Sequence, residues 1–178
     1  DEEKEKIIEY YKEKNKLLAS EIEYKTKNGT VKFFSTTDRG LTKSRNEAIE
    51  KSNADVCILC DDDEVFVDDY DNKIINAYKN LPLADVIIFK MANRSPSFKD
   101  KVIRLKFPKT MKVSSWQISF KRESLLKTGV RFDLFLGAGS GNGAEEELKF
   151  LLFLLLVLQL EYNLSVYHIL QQLEEYFY

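Results

Sequence analysis

The hydrophobic positions of this chain change period several times, and each change marks an element. Ile7, Ile8, Tyr11, Leu17 and Leu18 form a loose apolar stripe among Glu and Lys. That pattern predicts a solvated surface helix over residues 1 to 20. Asn28-Gly29 signals a turn, and Val31 to Ser35 reads as a strand. Gly40 breaks the chain before a helix that runs to about Ser52, with Thr42 placed to cap it. Residues 55 to 60 read as the next strand. Asp68 or Asp69 can cap a helix that ends near Asn80, where Pro82 stops it. In Asp85 to Met91, Val86, Ile87, Ile88 and Phe89 are contiguous, the pattern of a strand covered on both faces. Strand, helix, strand, helix, strand is the βαβ rhythm of a three-layer α/β domain with a mainly parallel central sheet.

Beyond residue 91 the rhythm is less regular. Residues 92 to 101 form a polar loop containing Ser95-Pro96. Val102 to Phe107 and Trp116 to Phe120 read as strands of a mixed region. Glu123 to Thr128 is a short helix stopped by Gly129. Gly137, Gly139, Gly141 and Gly143 make a turned or mobile loop. Residues 145 to 160 follow as a helix, acidic at its start and then apolar all round, which predicts burial. Asn163 to Leu170 reads as a last strand. There are no internal repeats.

Composition narrows the class. A chain of 178 residues suits one well-cored domain. With 44% hydrophobic and 31% charged residues it belongs with soluble globular proteins. The net charge of −2 and the lack of a basic arm argue against a nucleic-acid partner. The start, Asp1 to Lys6, is too charged for a signal peptide, and the missing initiator methionine suits a trimmed chain or a fragment. The greasiest run, Leu151 to Leu158 with neighbours out to Leu160, falls short of the roughly 20 apolar residues that span a bilayer. Cys57 and Cys60 have C-x-x-C spacing, but a strand would put them on opposite faces. No second Cys/His pair completes a metal site, so they are expected to be buried structural thiols. Free thiols suit the cytosol.

The candidate chemistry lies where the strand at 55 to 60 ends. There Asp61, Asp62, Asp63 and Glu64 stand together, and adjacent carboxylates repel unless water or a cation screens them. Asp61 and Asp63 have D-x-D spacing, suited to a hard cation such as Mg²⁺ or Mn²⁺ that keeps positions open for diphosphate oxygens. The blander reading is an acidic turn before a helix, although one aspartate suffices for a cap. Upstream, Gly40 enters a helix carrying Lys43, Arg45 and Asn46, which offers backbone N–H groups and positive charge to an anion. Downstream, the glycine loop runs into Glu145, Glu146 and Glu147. Acidic residues suit a helix start. The same loop could instead deliver a carboxylate general base to an acceptor hydroxyl. His168, the single histidine, has no partner motif and reads as structural.

Three segments, Arg39-Gly-Leu-Thr-Lys-Ser-Arg-Asn46, Ala54 to Asp63 and Ala84 to Phe89, resemble family 2 glycosyltransferases of the GT-A fold in order and spacing. Ile118 to Asp133 resembles the family's acceptor-side segment, and Gly137 to Leu152 its Gly-rich loop and acidic helix start. The resemblance covers residues 31 to about 152. It implies a single GT-A-like (Rossmann-like) domain over residues 1–178. Within it, 1–30 would be a charged helix and turn, 31–91 the nucleotide- and metal-binding half, and 92–178 the acceptor-side half. It implies inverting transfer of a sugar from a nucleotide-diphosphate donor, with a UDP-sugar in first place, to a saccharide or other hydroxyl acceptor. Arg45 and Asn46 would line the nucleotide pocket. Asp61 and Asp62 would lie at the donor, and Asp63 with Asp61 would hold Mn²⁺ or Mg²⁺. Glu147 would be the catalytic base, with Glu146 second.

The chain departs from the family in several places, and the leucine-rich run after Phe150 is greasier than the family leads one to expect. The chain starts after the family's first βα unit, and a sheet edge left open in this way would favour a homodimer. Glu145 stands where the family has glycine, and Glu147 where aspartate is commoner. The expected location is the cytoplasm, with any membrane association peripheral and at the inner face. Two alternatives accompany this reading. One is a non-catalytic or truncated GT-A-like scaffold. The other is a haloacid-dehalogenase-like phosphatase, whose nucleophile motif Asp61-x-Asp63-x-Val65 matches literally.

Overall fold

The computed structural model describes residues 6, 20–27, 29–36, 39–61, 64–91, 102–104, 113–138, 145–160 and 165–175. The expected helix over residues 1 to 20 lies almost entirely outside them. The chain divides into two units, Asp1–Arg39 and Gly40–Tyr178.

The first unit holds an antiparallel hairpin of β1 (Ser20–Thr26) and β2 (Gly29–Ser35). β2 matches the expected strand at Val31 to Ser35, whereas β1 was not foreseen. Along β1, exposed Glu21, Glu23 and Lys25 alternate with half-buried Ile22, Tyr24 and Thr26, a period of two. Glu23 lies opposite Lys32, and the pair closes at 3.3 Å.

The second unit carries the sheet and helices. Its elements are α1 (Leu41–Lys51), β3 (Val56–Ile58), β4 (Val65–Phe66), α2 (Tyr70–Asn80), β5 (Ala84–Met91), β6 (Ile103–Arg104), β7 (Ile118–Lys121), α3 (Arg122–Thr128), α4 (Glu146–Leu160) and β8 (Ser165–Glu175). The strand order is β3-β7-β5-β8-β4, and β6 also pairs with β8. The α/β fold is as expected, but the sheet is not mainly parallel. Among the described residues only β5 and β8 pair in parallel, and the other four pairings are antiparallel. The cause is β7, which inserts between β3 and β5 and opposes both. A strand–helix–strand rhythm sets the relative direction of β3 and β5 but cannot reveal a later strand lodged between them.

Alternation along β5 and β7 builds the layers. Val86, Ile88, Ile118 and Phe120 join one buried cluster with Ile49 of α1, Leu125 of α3 and Phe150, Leu151, Leu154 and Leu155 of α4. Ile87 and Phe89 join another with Ile74, Ala77 and Tyr78 of α2. β7 is pinned by a polar contact on the α2 side. Ser119 Oγ donates to Ile87 O at 3.0 Å and lies 3.0 Å from Tyr78 Oη. Burial keeps the Tyr78 hydroxyl protonated well above the ordinary tyrosine range.

Several local expectations change. Thr42 does not cap α1; Gly40 holds that position, and Thr42 is buried inside the helix. Asp69 stands at the start of α2 in the left-handed region (φ 64°) and makes no side-chain cap bond. Its carboxylate accepts instead from Asn72 Nδ2 at 2.6 Å. α4 is not buried all round: Phe153 and Leu156 are about half exposed, because only one stripe of the helix faces the core. Cys60 is exposed and Cys57 half-buried, since β3 ends at Ile58 and leaves Cys60 beyond the strand.

Candidate active site

Helical spacing puts Thr42, Arg45 and Ile49 on one stripe of α1, and all three are buried. Ile49 joins the apolar core, while Arg45 nearer the helix start must carry a charge into a mostly enclosed place. It is 8% exposed. Such a charge is tolerated only when paired, and here carboxylates outnumber it. Arg45 Nη2 donates to Asp61 Oδ1 at 3.1 Å, and Nη1 donates to Glu147 Oε1 at 3.1 Å. Glu146 Oε1 lies 3.6 Å from Nη1. The guanidinium carbon sits 5.5 Å from the centre of the Phe132 ring, within cation–π range.

The platform under Arg45 is itself held from two sides. Asn46 Nδ2 donates to Phe132 O and Asn46 Oδ1 accepts from Phe132 N, both at 2.9 Å. The Phe132 ring stacks on Phe150 of α4 at 4.1 Å, with 6° between the planes. One residue of α1 therefore holds the backbone of Phe132, and α4 holds its ring.

The start of the glycine loop is docked on the start of α1. Leu41 N–H donates to Ala138 O at 3.1 Å, and Thr42 Oγ1 to Leu136 O at 3.3 Å. The Leu41 N–H, one of the groups expected to face an anion, is thus used within the protein. Gly137 makes the close approach with φ 93°. A Cβ there would meet Thr42 Cγ2 at 3.0 Å and the Glu146 carboxyl carbon at 3.2 Å. Glu145 precedes α4 at φ 129°, a conformation that favours glycine. Its N–H donates to Glu146 Oε2 at 3.1 Å, and its carbonyl accepts the first bond of the helix, from Lys149 N–H. Lys149 also pairs with Asp133. That hydrogen bond, with a second from Phe135 N–H, holds the Asp133 carboxyl below the usual range.

The structure brings together Arg45, Asp61, Glu146 and Glu147 of the expected site residues. Asn46 stands beside them as a backbone clamp. Asp62 and Asp63 lie outside the described residues, as do residues 139–144 of the glycine loop. Among the described residues no group of three or more His, Cys, Asp or Glu is placed to hold a metal ion. Carboxylate oxygens are nevertheless hard donors of the kind that Mg²⁺ and Mn²⁺ take, and the local excess of carboxylates over guanidinium suits a cation. Beside Arg45 a cleft of about 280 Å³ is lined by Ala48, Ile49, Ser52, Cys57, Cys60 and Phe120, among others. The role of Phe132 and the bridging by Arg45 were missed in the sequence. The spacing of Thr42, Arg45 and Ile49 was the available signal, because it places the arginine on the buried stripe.

Residues 6–136 match the sequence profile described as Glycosyl transferase family 2. The chain belongs to that family, which replaces the phosphatase alternative. Its fold resembles the crystal structure of S. aureus TarS 1-349, with a TM-score of 0.53 and 18% identity over 93% of this chain and 47% of that one. It also resembles S. aureus TarS 1-349 in complex with UDP, with a TM-score of 0.51 and 16% identity over 76% of this chain and 39% of that one. The chain thus spans less than half the length of these TarS structures. No curated protein matches its sequence. Among the described residues no helix is long and apolar enough to cross a membrane.

Proposed function

We propose that this chain carries the donor and base machinery of an inverting glycosyltransferase that uses a nucleotide-diphosphate sugar, a UDP-sugar first, and a hydroxyl acceptor. The observation that carries the reading is the meeting of Asp61, three residues past the end of β3, with Glu147, at the start of α4, on the one Arg45 guanidinium. A donor-side carboxylate and a candidate base lie within one side chain's reach. Family membership and the UDP complex of TarS support the same reading.

In this mechanism the acceptor oxygen attacks the anomeric carbon as the bond to the diphosphate breaks. Glu147 takes the hydroxyl proton as that oxygen gains its new bond, and the nucleotide diphosphate leaves with the bonding pair. Asp61 and Asp63 are the residues that would hold Mn²⁺ or Mg²⁺. Such a cation, when bound, offsets the negative charge growing on the leaving diphosphate.

The first test is calorimetric titration with UDP, with and without Mn²⁺. Manganese-dependent binding is expected, and Asp63→Asn should abolish that dependence while leaving the fold intact. Binding by no member of a nucleotide-diphosphate panel would make the resemblance architectural, and the non-catalytic scaffold would lead.

A further inference from the structure

Arg45 makes its two shortest ion pairs with opposite ends of one guanidinium. Nη2 meets Asp61 and Nη1 meets Glu147, each at 3.1 Å. Those two nitrogens keep a fixed separation in a fixed plane, so a shift in one bonded carboxylate is passed to the other. A lysine in the same place would be a point charge on a flexible stem and would pass on much less. The plane is also constrained from below, because the Phe132 ring is stacked on Phe150 and its backbone is clamped by Asn46. Burial of Arg45 to 8% exposure keeps the guanidinium from swinging into solvent, while the Asp61 and Glu147 side chains stay partly open, at 32% and 21%.

We propose that Arg45 is a positioning residue, which transmits the placement of Asp61, set when donor binds, to the carboxylate of Glu147. This rests on the transferase reading above. It gives Arg45 a role distinct from contact with the nucleotide. The base reaches its working position only when the donor side is in place.

The test compares the wild-type chain with Arg45→Lys, Glu147→Gln and the double variant. UDP affinity is read by calorimetry with Mn²⁺, and kcat and KM with a panel of UDP-sugars and simple saccharide acceptors. Arg45→Lys should lower kcat by about 100-fold, the order of loss that follows a 1 Å misplacement, and leave UDP affinity within about threefold. Added to Glu147→Gln it should cost little more. Equal losses of UDP affinity and kcat would make Arg45 a donor contact and overturn the proposal, as would losses that multiply in the double variant.

A second measurement needs no activity. In urea unfolding, the effects of Asp61→Asn and Glu147→Gln should be non-additive in the native Arg45 chain. Additivity there removes the bridge, and this arm decides the matter even if Arg45→Lys does not fold. A wild-type chain that binds no UDP sinks the transferase reading itself. A chain that binds and turns over donor, with no split between kcat and UDP affinity in Arg45→Lys, loses only the positioning role.

Discussion

Arg45 lies three residues after Thr42 and four before Ile49, so helical geometry alone turns its side chain toward the protein interior. A sequence shows the charge and the stripe, but not which carboxylates gather around the charge. Asn46 is the opposite case. Its type and place suggested a ligand contact, whereas its amide pairs with both backbone groups of Phe132. Asn46→Ala should therefore cost about 1–3 kcal/mol in urea unfolding, because it strands a partly buried N–H and C=O. A loss below half a kcal/mol, on the order of an ordinary surface change, would show that the clamp is not needed. Glu145 stands at φ 129°, a conformation that favours glycine. Backbone strain there is on the order of 1–3 kcal/mol, against about 0.5–1 kcal/mol for the greater chain entropy of glycine. Glu145→Gly is expected to stabilise the protein by about 1 kcal/mol, and a lower thermal midpoint would contradict the strain.

At the scale of elements, most helices and strands were legible because their signals are local. β5 is a contiguous apolar run, α3 ends at Gly129 in the left-handed conformation, and α1 follows Gly40. β1 was missed although Ile22 and Tyr24 alternate with charged residues, since that alternation is short and follows a helical stripe. α4 was read as buried throughout because Phe150 to Leu158 is an unbroken apolar run, and only packing shows that Phe153 and Leu156 face outward. The same helix is tied to the segment after α3 by Asp133 and Lys149. The Asp133 pKa is lowered on folding, first by its bond from Lys149 and then by that from Phe135 N–H. Its contribution is therefore present above the unfolded-state pKa and lost as pH falls through the lower folded value. In urea unfolding, Asp133→Asn should be less stable than wild type at pH 7, and the gap should close progressively below about pH 4. A gap that persists undiminished at the acid end would assign the effect to packing.

For the whole molecule, the balance of sheet directions could not be read along the chain. β7 comes late and pairs early, lying between β3 and β5, and Ser119 with Tyr78 fixes it there. The same long-range closure brings α4 back to α1 and so assembles Arg45, Asp61 and Glu147. If that assembly forms a working donor site, ligand binding stabilises the folded state by linkage. UDP with Mn²⁺ at about 100 times its Kd should add about 2.7 kcal/mol, and removing the metal with EDTA should reverse the gain. An unmoved thermal midpoint under saturating UDP and Mn²⁺ would argue that no such site exists in this chain.

The sequence by itself determined the α/β class, the acidic strand end, the acidic start of α4 and the family resemblance. These depend on periodicity, turn chemistry and short motifs, all carried by neighbouring residues. Tertiary structure alone decided the mixed sheet, the exposure of Cys60 and Phe153, and the use of Asn46 as a clamp. It also decided the bridge from Asp61 through Arg45 to Glu147. Those features depend on which distant surfaces meet, and a buried charge takes its partners from whatever the closed fold brings within reach.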